Sequence, residues 1–223
     1  MKILSVNLAR AIWQMPFTDI NPEGKSLFPF VEWLIKKYNF NKYPSTNNEF
    51  DLEKGIKFEN GEYQIKGKDK IIVNLAVYGG GIGADTRHST KESERFLDEI
   101  LTHVSSEFKL PDYKGIIKGK GYISNLYVST EKSLEMLNPK LKKFSKFISD
   151  NFLCPSYTST HTHFELGTIS FWPEQEKTVN LPLFVFERAV NVPFSENRYF
   201  STSGLETDKH IEALNKLEEI LVG

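Results

Sequence analysis

The chain has 223 residues, of which 39% are hydrophobic and 26% charged, a composition typical of a folded globular protein. Its formal net charge of -1 excludes a strong field that would draw the whole molecule to nucleic acid or to an acidic membrane. The single cysteine, Cys154, excludes an intrachain disulfide, and no apolar run is long enough to cross a bilayer. We therefore expect a soluble cytoplasmic protein with no membrane partner, and nucleic acid is not the expected partner.

In the first half of the chain, hydrophobic periodicity predicts the elements in order. These are a strand at 2–9, a helix at 27–39, strands at 56–59, 62–66 and 71–78, and a helix at 90–107. Asn60 and Gly61 supply the positive φ angles of a two-residue turn, so the strands on either side of them are predicted to form a hairpin. The polar segment 40–54 is predicted to be a loop. A capping box, Ser89 with Glu92, starts the helix at 90.

The second half continues with strands and two further helices. The predicted elements are a strand at 115–129, a helix starting at Asn138 with a core face of Leu137, Leu141, Phe144, Phe147, Ile148 and Phe152, strands at 163–172 and 181–190, and a final helix after Thr207 or Asp208. Because hairpins dominate and strands do not alternate strictly with helices, the predicted fold class is α+β: a mostly antiparallel sheet with about four helices packed against it. We predict one domain over 1–223. The alternative is a division into two subdomains, 1–110 and 111–223.

A glycine-rich segment follows the apolar strand at 71–78 and is a candidate ligand-binding site. Its glycines are Gly79, Gly80, Gly81 and Gly83. Backbone N–H groups in such a turn, close to a helix N-terminus, can bind an anion. The spacing differs from the dinucleotide-binding motif, and no Gly-Lys-Ser/Thr follows as in a nucleotide P-loop. A sharp bend or a bulged strand is the structural alternative.

Three candidate catalytic residues lie between the glycines and the next helix. Asp85, Arg87 and His88 place an acid, a guanidinium and an imidazole within four residues. His88 could transfer a proton, and Arg87 could hold a carboxylate or phosphate through two hydrogen bonds. Polar residues before a capped helix also serve solubility alone, which is the structural alternative.

A possible metal site is indicated by His161, His163 and Glu165. In an extended segment, alternate residues point to the same face, so these three side chains could bind a divalent transition metal such as zinc or iron. The segment does not complete a known metal motif. Histidines on the solvent-facing side of an edge strand are the alternative.

The segment 187–200 is rich in arginine and aromatic residues, which are enriched at protein interfaces. Its candidate partner-binding residues are Arg188, Phe194, Arg198 and Tyr199. A loop held by its own aromatic contacts and ion pairs is the structural alternative.

The sequence contains no complete catalytic motif, so the residues alone leave open whether the protein is an enzyme. We predict a complex-forming protein that binds a protein partner or itself, as a homodimer, and needs no cofactor. The alternative is a hydrolase acting on a phosphoester or nucleotide, dependent on a divalent transition metal or on the His/Arg pair.

Overall fold

A computed structural model describes residues 1–65, 67, 69–107, 112–152, 163–174 and 183–223. The helices are Phe17–Ile20 (α1), Phe28–Tyr38 (α2), Thr90–Glu107 (α3), Pro139–Phe152 (α4) and Thr207–Val222 (α5). The strands are Lys2–Gln14 (β1), Ile56–Gln64 (β2), Lys70–Tyr78 (β3), Gly81–Thr86 (β4), Gly119–Ser129 (β5), Thr168–Phe171 (β6), Phe184–Arg188 (β7) and Arg198–Ser203 (β8). They form an antiparallel sheet in the order β2-β3-β4-β1-β5-β8-β7-β6, which confirms the α+β prediction. Within the described ranges, no helix is both long and apolar enough to cross a membrane.

The chain forms two compact units. The larger unit comprises Val6–Ser124 and Gly204–Asp208, and the smaller unit comprises Met1–Ser5, Asn125–Ser203 and Lys209–Gly223. The number of independent domains stays a prediction.

In the larger unit, α2 and α3 pack against one face of strands β1 to β4. Along each strand, alternate side chains are buried in this core: Ala11, Trp13, Ile56, Phe58, Val73, Leu75, Val77, Ile82 and Ala84. The helices contribute Leu34, Phe96 and Ile100, none of which is exposed. Full burial of one such large side chain stabilises the fold by about 1.5–3 kcal/mol. The opposite face of the same strands, which we call the open sheet face, carries half-buried and exposed side chains.

The glycine-rich segment contains the sharp bend that was its structural alternative, and this bend leads into a separate strand, β4. After a two-residue turn at Gly79 and Gly80, β4 pairs with both β3 and β1. The carbonyl oxygens of the turn accept hydrogen bonds from the N–H groups of Phe17 and Met15, at 2.8 and 3.0 Å. The strand was not predicted because its core face is only Ile82, Ala84 and Thr86, too short and too small in side chains to give a clear alternating pattern.

The predicted hairpin at Asn60 and Gly61 is wrong. β2 runs through both residues, and its pairing with β3 contains a bulge between Phe58 and Gly61. Asn60 has a φ of 55°, so the positive φ that suggested a turn serves the bulge. The N–H of Asn60 donates to Oδ1 of Asn74 at 2.8 Å, which provides a partner for a backbone group within the irregular pairing.

Three further differences lie in the smaller unit. Strand β8 is not among the predicted strands, because the side chains on its buried face are Tyr199, Ser201 and Ser203, whose hydroxyl groups obscure the alternation of apolar and polar residues. Helix α4 forms where predicted, but its predicted core face is wrong: Leu141 and Phe144 are 39% and 57% exposed. Strands β6 and β7 are shorter than the predicted segments, and part of the predicted strand at 181–190 lies outside the described residues.

We predict that Gly81→Ala destabilises the larger unit. A Cβ atom at this position would lie 2.5 Å from the carbonyl oxygen of Trp13, so β1 and β4 would have to separate. We expect a loss of about 1–3 kcal/mol in the free energy of unfolding, measured by urea denaturation.

Gly80→Ala is the matched control, because a Cβ atom there would meet nothing within 4 Å. We expect it to change the free energy of unfolding by less than about 0.5 kcal/mol. Equal losses in the two variants would contradict the close approach of β4 to β1.

Candidate functional site

The open sheet face of the larger unit contains a groove of about 490 Å³. Its layout follows from strand register, because residues directly opposite one another on neighbouring strands share a face. One row across the face consists of Lys57, Ala76, Gly83 and Ile12. Gly83 has no side chain and Ala76 has only a methyl group, so these two residues form a low floor between Ile12 and Lys57.

Two further rows border this floor. On one side, Asn74, Asp85 and Arg10 stand opposite one another, and on the other side Tyr78 stands opposite Gly81. The groove therefore has a polar end that carries an ion pair and an end that carries an aromatic ring.

The ion pair at the polar end has bidentate geometry. Nε of Arg10 donates to Oδ1 of Asp85 at 2.5 Å, and one terminal nitrogen donates to Oδ2 at 2.7 Å. The hydrogen bond to Asp85 raises the pKa of Arg10 above its ordinary value, although partial burial acts in the opposite direction. A planar guanidinium held in this way has a fixed orientation.

The structure gathers several predicted residues at this groove. Gly80, Gly81, Gly83 and Asp85 line it, whereas Gly79 lies in the adjoining turn. Sequence reasoning missed Arg10, which is paired with Asp85 across 75 positions in the chain. A pattern confined to local sequence contains no information on such a contact.

The other two candidate catalytic residues do not line the groove. Arg87 and His88 follow the end of β4, and Arg87 is exposed. The N–H of His88 donates to Oγ1 of Thr86 at 3.3 Å. Nδ1 of His88 is buried without a hydrogen-bond partner among the described residues. Their catalytic role stays a prediction.

In the smaller unit, a second cluster forms around Arg188. Its guanidinium donates to Oε2 of Glu165 at 2.5 Å and to the carbonyl oxygen of Phe194 at 3.0 Å. The same group lies 4.5 Å from the ring centre of Phe194 and 5.1 Å from that of Tyr199. Oε1 of Glu165 lies 3.1 Å from Nε2 of His163. Residues predicted for a metal site and for a partner surface therefore meet in one cluster.

The predicted metal site is only partly described. His161 lies outside the described residues, as does Cys154. In the described parts of the chain, no three His, Cys, Asp or Glu side chains are grouped as ligands. The carboxylate of Glu165 already pairs with Arg188, so a metal ion would have to compete with a buried guanidinium for it.

The cluster around Arg188 holds the chain just before α4. A terminal nitrogen of Arg188 donates to Oγ of Ser133 at 3.3 Å, and the hydroxyl of Tyr199 accepts from the N–H of Leu134 at 3.3 Å. Both Tyr199 and Leu134 are fully buried. Arg188 and Tyr199 therefore contact the turn that leads into α4 from the interior of the unit and hold it in position.

Helix α4 presents an apolar stripe to solvent. Phe144 and Phe147 are 57% and 53% exposed, and Met136, in the preceding turn, is 53% exposed. Four exposed lysines flank the stripe: Lys140, Lys142, Lys143 and Lys146. We call these residues together with Leu141 the α4 patch. Exposed apolar groups rimmed by charge are typical of interaction surfaces.

A serine–histidine pair in the smaller unit resembles a nucleophile and its base. Oγ of Ser201 lies 2.8 Å from Nε2 of His210 and donates to the carbonyl oxygen of Val185 at 3.0 Å. Neither Ser201 nor His210 is exposed, so a substrate has no access to the pair. Burial lowers the pKa of His210 to about 4, which keeps the imidazole neutral at physiological pH.

We predict that Arg188→Met strongly destabilises the smaller unit. The side chains of Arg188 and Glu165 are only 7% and 15% exposed, so the substitution leaves a largely buried carboxylate without its guanidinium partner. We expect a loss of about 3–5 kcal/mol in the free energy of unfolding, measured by urea denaturation.

The control is Arg198→Met, which removes an ion pair with Glu196 whose side chains are 42% and 41% exposed. We expect this loss to stay below about 1 kcal/mol. Similar losses in both variants would show that the Arg188 pair is not held in the interior.

We predict that His210 makes the smaller unit acid-sensitive. The unfolded chain binds a proton at this residue near pH 6.5, whereas the folded chain does so only near pH 4. The stability is therefore complete above pH 6.5 and falls by about 3 kcal/mol as the pH drops to about 4. His210→Gln should remove this part of the pH dependence.

The measurement is the difference in unfolding free energy between wild type and variant, taken at pH 7.5 and again at pH 5. His163→Gln, at an exposed position, is the control. An identical pH dependence in wild type and His210→Gln would contradict the assignment.

Neither a protein-family model nor a curated protein matches this chain.

Proposed function

We propose that the protein is a complex-forming protein that binds an acidic, amphipathic protein partner through the α4 patch. The observation that supports this most directly is the exposure of Phe144, at 57%, on a helix whose sequence has a well-defined apolar face. A large aromatic side chain gains free energy when a partner removes it from water, by about 1.5–3 kcal/mol for full burial.

The position of the patch supports a defined docking surface. The turn before α4 is held by Arg188 through Ser133 and by Tyr199 through Leu134. Near the other end of the helix, Oγ of Ser149 accepts a hydrogen bond from the N–H of Phe164 at 2.8 Å. Because the helix is held at two points, the exposed side chains need little further ordering on binding.

The charge of the patch selects the chemistry of the partner. Four exposed lysines lie on one helix of 14 residues, whose acidic residue is Asp150. Two such helices packed together would repel each other, so a second copy of α4 is a poor partner. A helix with acidic residues beside an apolar stripe complements both features.

The hydrolase alternative gains no additional support from the positions of its candidate acids. Asp85 is engaged by Arg10, and Glu165 is engaged by Arg188. Each carboxylate is therefore already engaged by a guanidinium, which would compete with a substrate or a metal ion for the same oxygen atoms.

We predict that the protein binds a synthetic amphipathic helix of 14 residues, the length of α4, with leucine on one face and glutamate on the other. Fluorescence anisotropy should give a Kd in the micromolar range, on the order of 1–100 μM. Phe144→Ser should weaken binding by about tenfold or more, because it removes the central aromatic contact. Lys143→Glu should do the same through charge repulsion.

The matched control is Ile72→Ser, which changes a 51% exposed side chain in the larger unit and should leave the Kd unchanged. Absence of binding, or equal binding by wild type and Phe144→Ser, would contradict the proposal. Size-exclusion chromatography with light scattering completes the test: a dimer that Phe144→Ser dissociates, without peptide binding, would assign the patch to self-association instead.

A further inference from the structure

The groove on the open sheet face lies in the larger unit. It is lined by an ion pair, small residues and an aromatic ring. We propose that it binds a small planar aromatic molecule that carries one anionic group. Its volume of about 490 Å³ falls in the range of about 300–1,000 Å³ that is usual for small-molecule sites. The inference does not depend on the α4 patch.

Two side chains of the polar row, Arg10 and Asn74, have hydrogen-bond donors that are not used by other described residues, beside the acceptor groups of Asp85, Glu59 and Asn60 in the same lining. Asp85 occupies Nε and one terminal nitrogen of Arg10, and Nη1 has no protein partner among the described residues. Oδ1 of Asn74 accepts from the N–H of Asn60, which leaves its Nδ2 group to donate. Both residues stand in the polar row, so acceptor atoms of a ligand can bind there.

The charged side chains in and beside the groove form two ion pairs and leave Lys57 without a direct ion-pair partner among the described residues. Arg10 pairs with Asp85, and Glu59 on the groove wall pairs with Lys42 at 3.0 Å. Lys57 is exposed at the end of the floor row and has no ion-pair partner among the described residues. A ligand with a single negative charge would balance Lys57 and accept hydrogen bonds from the polar row.

The floor of the groove is flat, and its flatness is not required by the backbone. A Cβ atom at Gly83 would lie 3.6 Å from the carbonyl oxygen of Ala11, an ordinary contact, and Gly83 does not have a positive φ. A glycine inside a strand costs stability, so one that the fold does not require indicates close approach by another group. Together with the methyl group of Ala76, it leaves room for a ring lying parallel to the sheet.

The walls of the groove favour a ring over a flexible chain. Tyr78 is 41% exposed, and its ring lies so close to Gly55 that a Cβ atom there would overlap it. The ring therefore packs on Gly55 at one end of the floor. Ile12 stands beside Gly83 on the neighbouring strand and supplies an apolar wall. Aromatic rings pack well against such apolar and aromatic surfaces.

The test is isothermal titration calorimetry with 2-naphthoate, a planar aromatic carboxylate. We expect saturable binding with a Kd on the order of 0.1–1 mM. Cyclohexanecarboxylate is not planar, and 2-naphthalenemethanol is neutral. Each should bind with a Kd at least about tenfold higher than that of 2-naphthoate.

Two variants locate the site. Gly83→Leu should abolish binding because its side chain fills the floor, and an unchanged melting temperature would verify its fold. Lys57→Gln should weaken binding about fivefold by removing the positive charge, whereas the control Lys91→Gln should not alter it. If Gly83→Leu does not fold, Lys57→Gln and the two analogues decide the matter.

Three results would overturn the proposal. The first is absence of binding up to about 5 mM 2-naphthoate. The second is equal binding by the neutral or the non-planar analogue. The third is a Kd that neither Lys57→Gln nor a folded Gly83→Leu changes.

Discussion

The buried ion pair between Arg188 and Glu165 is the interaction on which the arrangement of the smaller unit depends. The Arg188 guanidinium simultaneously contacts a carboxylate, a backbone carbonyl and two aromatic rings, and it also reaches Ser133. A charge with so little solvent exposure is tolerated only when such partners surround it. Its partners come from separate parts of the chain, so one side chain joins β7 to the turn before α4 and to the segment that contains Glu165.

In this arrangement, one set of residues holds the smaller unit together and a different set is exposed for a partner. The arginine and aromatic residues of the 187–200 segment are largely used inside the unit, where Tyr199 is fully buried. The apolar residues of α4 are exposed instead, among lysines. Interior residues thus hold the helix, and surface residues of the helix are available for recognition. The proposed partner surface is a consequence of this division.

The larger unit shows the same separation between the two faces of its strands. The core face is mostly apolar and covered by helices, whereas the open sheet face combines a low floor with polar groups held by hydrogen bonds. Gly81 and Gly83 lie on the same face of β4 but differ in their constraints. Gly81 is required by the close approach of Trp13, and Gly83 is not required by any backbone contact. Because the fold does not require a glycine at position 83, we infer that the space above Gly83 serves a ligand.

The sequence was sufficient to predict the fold class and the positions of most helices, because amphipathic periodicity and capping residues are local properties. It failed where the local pattern had two solutions: the positive φ of Asn60 suits a turn and a bulge equally well. It also failed where buried hydroxyl groups replaced apolar residues, as in β8. Of the site residues, the glycines and Asp85 could be found locally, but Arg10 could not. Its pairing with Asp85 exists only once β1 lies beside β4.

The central claim is that the α4 patch is the surface that a partner covers. Lysine modification followed by mass spectrometry tests it most directly, with and without the acidic amphipathic peptide. The account predicts that the peptide slows modification of Lys140, Lys142, Lys143 and Lys146 and leaves Lys91, an exposed lysine on α3, unaffected. Unchanged modification of the α4 lysines at a saturating peptide concentration would contradict it.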